Sequence, residues 1–232
     1  MNPMKQVGLV FGALGALALA GLGGLAMGCN GLLGIQSATV GDLDAGAPVE
    51  AGVSCAYYCQ TITQNCTGAD NTEFQGDLNL CLNMCNALPS DTGFLTDTSG
   101  NTLGCRIHYA QLAASDPTTN CRFAGALGGG QCGVKSDACT NFCALDVPYC
   151  LSVKTPAYLT QNDCTTQCLT GGDAGTGYLF VTDGGANTQG VDLPDGTNTL
   201  NCRFYHLENA YPSVDRGHTH CPHTMPISAT CY

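Results

Sequence analysis

The sequence predicts a small, disulfide-rich and mainly α-helical fold made of two tandem repeats. The chain has 232 residues and 17 cysteines. Sixteen of these cysteines fall into two sets of eight with nearly the same spacing, and each set contains two CxxxC pairs. Because residues four apart share one face of a helix, each repeat is expected to contain a helical hairpin stapled by disulfides. A third short helix and loops are expected to complete each repeat.

The duplication is visible in the order and spacing of the cysteines. Their successive separations are 4, 7, 15, 4, 20, 16 and 11 residues in the first set and 4, 7, 14, 4, 34, 19 and 10 in the second. Repeat 1 is expected to span residues 55–133 and repeat 2 residues 134–232, with a loop insertion near 169–199. The predicted disulfide frame consists of Cys55, Cys59, Cys66, Cys81, Cys85, Cys105, Cys121, Cys132, Cys139, Cys143, Cys150, Cys164, Cys168, Cys202, Cys221 and Cys231.

The CxxxC pairs also predict part of the disulfide pairing. Antiparallel packing of the two CxxxC helices brings their cysteines within disulfide reach. The expected pairs are Cys55–Cys85, Cys59–Cys81, Cys139–Cys168 and Cys143–Cys164. The pairing of the other four cysteines in each repeat stays open. The third helix is expected to start near Cys105 and near Cys202, and the insertion to be a short hairpin or an irregular loop.

The first 28 residues have the pattern of a secretory signal. MNPMKQ carries one Lys, and an uncharged run rich in Gly, Ala and Leu follows it. The stretch from Leu25 to Cys29 resembles the lipobox of bacterial lipoproteins, in which the cysteine is diacylated and becomes the mature N-terminus. Ala26 stands where that family usually has Leu, and cleavage after Ala20 by an ordinary signal peptidase is the alternative. Residues 29–54 are then the lipidated Cys29 and a flexible tether.

Cysteine content and charge limit where the protein acts and what it binds. Sixteen cysteines besides Cys29 persist as disulfides only in an oxidising compartment. The net charge of −11 argues against nucleic acid and against electrostatic docking on anionic lipid. The expected partners are the membrane, through the N-terminal lipid, and another envelope protein or polymer. Asn30 after the lipidated cysteine favours outer-membrane sorting.

The lipobox, the acidic tether and the repeated CxxxC…CxxxC…NTLxCR…C…C units together resemble a group of cysteine-rich predicted lipoproteins from myxobacteria and related delta-proteobacteria. In that group a unit often has the form NTLGCRxYHA, followed by HCPHAG and GGxxCG. Repeat 2 keeps NTLNCR, Tyr205-His206 and HCPH, whereas repeat 1 keeps the ending GALGGGQCG. The resemblance covers essentially the whole chain and implies no established activity.

Four of the five histidines form a candidate metal site in repeat 2. His218 and His220 are expected to share one face of an extended segment, with His223 close by, and His206 lies one helical turn after Cys202. Imidazoles in such a tract bind copper or zinc. Repeat 1 lacks the cluster, because Asn120 corresponds to His220 and Phe123 to His223, and His108 is one position from the equivalent of His206. The alternative is that these are surface imidazoles beside a disulfide.

These observations favour an exported, lipid-anchored cell-envelope protein with a structural or recognition role. A periplasmic or surface metal or haem binder that uses the histidines of repeat 2 is the alternative function. An enzyme is the third and least favoured class, because neither a GxSxG motif nor a free thiolate nucleophile is evident, and no catalytic residue is predicted. No cofactor is expected apart from the metal ion of the alternative function.

Overall fold

Eight α-helices dominate the computed structural model, which describes residues 52–68, 72–171, 177–182, 198–228 and 230–232. They are α1 (Cys55–Asn65), α2 (Leu78–Cys85), α3 (Leu103–Leu112), α4 (Pro117–Ala124), α5 (Lys135–Ser152), α6 (Gln161–Thr170), α7 (Leu200–Ala210) and α8 (Val214–His220). The described ranges contain isolated β-bridges but no strand. The prediction of a mainly helical, disulfide-rich fold is therefore confirmed.

The first helical hairpin consists of α1 and α2. Ser54 caps α1, because its hydroxyl accepts the N–H of Tyr57, and Asp77 caps α2 in the same way. The two helices are joined by Cys55–Cys85 and Cys59–Cys81, whose Cα atoms are 5.7 and 5.6 Å apart. These are the two pairs that the CxxxC spacing predicts.

The second hairpin consists of α5 and α6 and repeats this arrangement. Cys139–Cys168 and Cys143–Cys164 join the helices, each with Cα atoms 5.7 Å apart. Helix α5 is longer than α1, with 18 residues, and continues through Pro148. Its last turns therefore extend beyond the hairpin and provide a surface on which α7 and the turn after α8 pack.

The other cysteines, whose pairing the sequence leaves open, pair in the same order in both sets. We call the eight from Cys55 to Cys132 the first cysteine set and the eight from Cys139 to Cys231 the second cysteine set. In each set the third cysteine bonds to the seventh and the sixth to the eighth. The four disulfides are Cys66–Cys121, Cys105–Cys132, Cys150–Cys221 and Cys202–Cys231.

A buried arginine explains the NTLxCR stretch in both sets. Thr102 and Thr199 cap α3 and α7, and the arginine one turn further along has no solvent exposure in either helix. Arg106 donates to the carbonyl groups of Thr102, Gly125 and Ala126. Arg203 donates to those of Thr199, Met225, Pro226 and Cys231. Each guanidinium therefore links its own helix, α3 or α7, to a later segment of the same set. It also supplies donors to carbonyl groups that would otherwise lack partners.

Both cysteine sets contribute to one buried cluster of hydrophobic residues within a compact unit that spans Pro48–Tyr232. Polar contacts also cross from one set to the other. The buried Glu208 of α7 accepts the backbone N–H of Phe74 at 3.1 Å, and the buried Asn141 of α5 donates to the carbonyl of Ala126 at 2.9 Å. The two sets thus share a core.

Two segments expected to be loops are helices. The segment before Cys121 forms α4, which Asp116 caps and Pro117 begins, and the segment before Cys221 forms α8, which Ser213 caps. Asp and Ser accept orphan N–H groups at a helix start, and Pro fits the first helical position. Between residues 172 and 197 the structure describes 177–182, which form no strand and make one bridge, between Leu179 and Thr199. The signal, Cys29 and the tether up to residue 51 lie outside the described residues.

Candidate metal centre

Three of the four candidate histidines meet at one point. His206 lies on α7, His220 ends α8, and His223 lies in the 3₁₀ turn Cys221–Thr224 that follows. The Nδ1 atom of His206 is 3.1 Å from Nδ1 of His220 and 3.1 Å from Nδ1 of His223. One nitrogen from each ring lies within 4.8 Å of the others. We call these residues the three-histidine cluster.

His218 does not belong to this cluster. The sequence pattern predicts His218 and His220 on one face of an extended segment, but both lie on α8. Residues two positions apart on an α-helix are about 200° apart around its axis, so the two side chains lie on different faces. Nδ1 of His218 instead lies 2.8 Å from the hydroxyl oxygen of Thr155, after the end of α5. The expectation of a shared face was therefore wrong, because it assumed the residue alternation of a strand.

Disulfides on both sides hold the three-histidine cluster in place. Cys202, one turn before His206, bonds to Cys231, and Cys221, between His220 and His223, bonds to Cys150 of α5. Each histidine thus lies within four residues of a covalent link. Metal ligands held on such rigid elements lose little entropy when an ion binds.

Helix α8 also packs closely on α5. Gly217 is buried, and a Cβ atom at this position would lie 3.0 Å from the side chain of Val153. The Tyr149 hydroxyl donates to the carbonyl groups of Ala210 and Ser213. The rings of Tyr149 and Tyr211 stack with centroids 4.2 Å apart. These contacts fix the direction from which α8 brings His220 to the cluster.

Electrostatics keep the three imidazoles neutral. His206 is only 5% exposed, and burial, with the adjacent His223 and His220, lowers its pKa to about 4. The pKa of His220 is lowered by burial, His223 and Arg216, and that of His223 is lowered by burial. Neutral imidazole is the form that binds metal ions.

Three ring nitrogens converge at the cluster. When two neutral imidazoles face each other through Nδ1, a proton on one of them can bridge the pair, but Nδ1 of His206 faces two partners. A metal ion satisfies all three lone pairs at once. Zinc–imidazole bonds of about 2.0–2.1 Å place tetrahedral ligand nitrogens about 3.3 Å apart. The two separations of 3.1 Å are close to this value, and one nitrogen of each ring lies within 4.8 Å of the others.

Sulfur ligands lie near the cluster but are already bonded to each other. The Sγ atoms of Cys202 and Cys231 are within 4.8 Å of a ring nitrogen of His206. Because they form a disulfide, they offer no thiolate. Among the residues that the structure describes, the protein ligands grouped here for an ion are therefore three nitrogens.

The first cysteine set fills the equivalent positions without coordinating nitrogens. Counted from the cysteines, Tyr109 corresponds to His206, Asn120 to His220 and Phe123 to His223. The rings of Tyr109 and Phe123 meet edge to face with centroids 5.0 Å apart. His108 packs against the ring of Tyr109 and corresponds to Tyr205 rather than to His206. Imidazole side chains thus occupy these three positions only in the second set.

Two side chains that act on the histidines were not predicted, Thr155 by a hydrogen bond to His218 and Arg216 by its charge near His220. Thr155 contacts His218 across 63 residues of sequence, a separation at which no local pattern gives a signal. Arg216 precedes His220 by four residues, and this spacing would have placed it on the face of His220 had α8 been predicted as a helix.

Comparisons with known proteins identify no relative of the chain. No protein-family model matches it, and no curated protein or solved structure matches it either. None of the helices in the described ranges is long and apolar enough to cross a membrane. A functional assignment must therefore come from the chain's own residues.

Proposed function

We propose that this chain is an exported, lipid-anchored cell-envelope protein that binds one divalent transition-metal ion through His206, His220 and His223. The observation that carries the proposal is the convergence of three neutral imidazole nitrogens, with two separations of 3.1 Å. Flanking disulfides support it, because they fix the ligands before the ion arrives.

The ligand chemistry selects the class of ion. Imidazole nitrogen suits copper and zinc, whereas calcium and magnesium prefer oxygen ligands. Affinity for divalent ions at a nitrogen site rises toward Cu²⁺ and falls again at Zn²⁺. A haem iron takes axial ligands from one or both faces of a flat ring, which does not match three nitrogens within 4.8 Å of one another. An ion is therefore favoured over haem.

We infer further that the two cysteine sets are tandem repeats of one module. The same order of disulfide pairing and the same buried arginine in both sets support this inference. The first repeat, which has an aromatic pair at the cluster positions, would keep the structural or recognition role toward an envelope protein or polymer. Eight disulfides among the described residues are compatible with a location outside the cytoplasm.

Isothermal titration of the mature protein with Zn²⁺ and with Cu²⁺ tests the proposed metal binding. We expect one ion per chain, and no binding to the variant H206Y/H220N/H223F, which carries the residues that the first set already packs at these positions. The control His218→Asn should bind as the wild type does. Binding that survives the triple substitution would refute the proposal.

The anchor is tested separately in cells. Labelled palmitate should enter the wild-type chain and not Cys29→Ala, and Cys29→Ala should leave the membrane fraction. If the wild-type chain takes up no palmitate, or if Cys29→Ala stays membrane-bound, the lipid anchor is wrong, whereas the metal site is unaffected by that result.

A further inference from the structure

An ion in the three-histidine cluster would keep its full charge. Neutral imidazoles donate lone pairs but no negative charge, so a divalent ion bound by three of them remains at +2. A carboxylate ligand would reduce this charge. Within the described residues, however, neither group of potential metal ligands around His206 contains an acidic side chain.

The nearest acidic residue on α7 is directed elsewhere. Glu208 follows His206 by two residues, which corresponds to about 200° around the helix. It is buried, and its Oε1 atom accepts the N–H of Phe74 from the first cysteine set. Glu208 is therefore not placed to balance charge at the cluster.

A positive side chain adds to the charge of such an ion. Arg216 is exposed on α8, one turn before His220, and residues four apart lie on the same face of a helix. An arginine beside a metal that lacks an anionic ligand is an arrangement that recognises anions.

One side of the cluster is open to solvent. His206 is buried, whereas His220 and His223 are partly exposed. Three protein ligands leave a four-coordinate ion with one further position. An anion would reach this position from the side of His220 and His223, whose side chains are partly exposed, whereas His206 is buried on α7.

We infer that the metal centre is a receptor for a small anion, a carboxylate or phosphate group, which binds the ion at its open position and pairs with Arg216. This inference rests on the proposed metal binding and deepens it, because it names the ligand class that completes the site. The anion brings the negative charge that the three imidazoles lack, and the guanidinium offers it two parallel N–H donors.

Azide titration of the copper-loaded mature protein tests the inference. Azide is a small anion whose binding to Cu²⁺ produces a charge-transfer absorption band. We expect this band to saturate at one azide per copper, and inorganic phosphate and acetate to compete with azide. Arg216→Gln should weaken azide binding about five-fold, the effect of one nearby unit charge at a protein surface.

Lys135→Gln is the matched control. It removes one positive charge at the start of α5, a helix that contributes no residue to the three-histidine cluster. Azide affinity should remain at the wild-type value in this variant. If copper binds through nitrogen ligands but takes up no azide, the anion-binding inference is wrong and the proposed metal binding stands. The same holds if Arg216→Gln and Lys135→Gln lower the azide affinity equally. If no copper binds, the proposed function fails together with it.

Discussion

His223 lies edge-on to His206, with ring centroids 4.5 Å apart. In the first cysteine set Phe123 meets Tyr109 in nearly the same way, at 5.0 Å. The cysteines define the equivalence, because His206 and Tyr109 each follow one by four residues, and His223 and Phe123 each follow one by two. The same disulfide arrangement therefore supports an aromatic pair in the first set and a potential metal centre in the second.

This relationship predicts that the metal site can be removed without damage to the fold. The variant H206Y/H220N/H223F should have the wild-type circular dichroism spectrum, because its new side chains already pack in the first set. Zinc at 100 times its dissociation constant should stabilise the wild type by about 2.7 kcal/mol and the variant not at all. Denaturant unfolding with and without zinc measures both values. Equal zinc stabilisation of the two proteins would contradict the prediction.

The reverse exchange should create a second site. In Y109H/N120H/F123H three imidazoles enter the frame of Cys105–Cys132 and Cys66–Cys121, which matches the disulfide frame of the second set. Zinc stoichiometry by isothermal titration should rise from one to two ions per chain. F123H alone is the control and should leave the stoichiometry at one, because it adds a single ligand. If the triple variant still binds one ion, the two frames do not orient their side chains alike.

The hairpins could be predicted because their signal is local. Cysteines four residues apart share a helix face, and two such faces determine which cysteines bond. Cys66–Cys121 and Cys150–Cys221 join residues 55 and 71 positions apart, and that choice depends on how whole helices pack. Spacing alone carries no information about it.

The candidate site was partly predicted for the same reason. The one-turn relation of His206 to Cys202 is a local prediction and is confirmed by α7, whereas the grouping of His218 with His220 requires an extended backbone that α8 does not have. Helix α8 has few apolar residues, so hydrophobic periodicity does not reveal it, although Ser213 marks its start. Recognising that cap would have separated His218 from the cluster.

Zinc binding should resist mild acid. Burial lowers the pKa of His206 to about 4 and also lowers those of His220 and His223, so protons compete with the ion at lower pH than they do at exposed imidazoles. Zinc affinity should therefore fall less between about pH 7.5 and about pH 6 than it does for exposed histidines. A peptide of residues 214–224 with Cys221→Ser, whose imidazoles are exposed, should lose affinity over this range. Parallel losses in protein and peptide would show that the fold does not protect the site.

The buried arginine of α7 should be essential for stability. Arg203→Met leaves the carbonyl groups of Thr199, Met225, Pro226 and Cys231 without this donor. Buried acceptors that lose a charged donor cost roughly 3–5 kcal/mol in total. Urea unfolding of the metal-free protein measures the difference in free energy. The exposed Arg216→Met removes the same charge and should change stability by less than about 0.5 kcal/mol.

A buried acid in α5 should make the stability depend on pH. Asp146 is fully buried, and no described residue hydrogen-bonds its Oδ2 atom. Burial raises its pKa from 3.8 to about 7, against a smaller opposing effect of Thr224. The pKa of Asp146 is higher in the folded protein than in the unfolded chain. Its contribution to the free energy of unfolding is therefore complete below about pH 4 and is lost as the pH rises to about 7.

Asp146→Asn tests this directly, because the amide stays neutral. Relative to the wild type, its free energy of unfolding should rise by on the order of 4 kcal/mol between about pH 4 and about pH 7. The pH dependence of the imidazoles is common to both proteins and cancels in the difference. Asp163→Asn, exposed on α6, removes the same charge at the surface and should follow the wild-type profile. If Asp146→Asn and the wild type give parallel profiles, folding does not raise the pKa of Asp146, and this prediction is wrong.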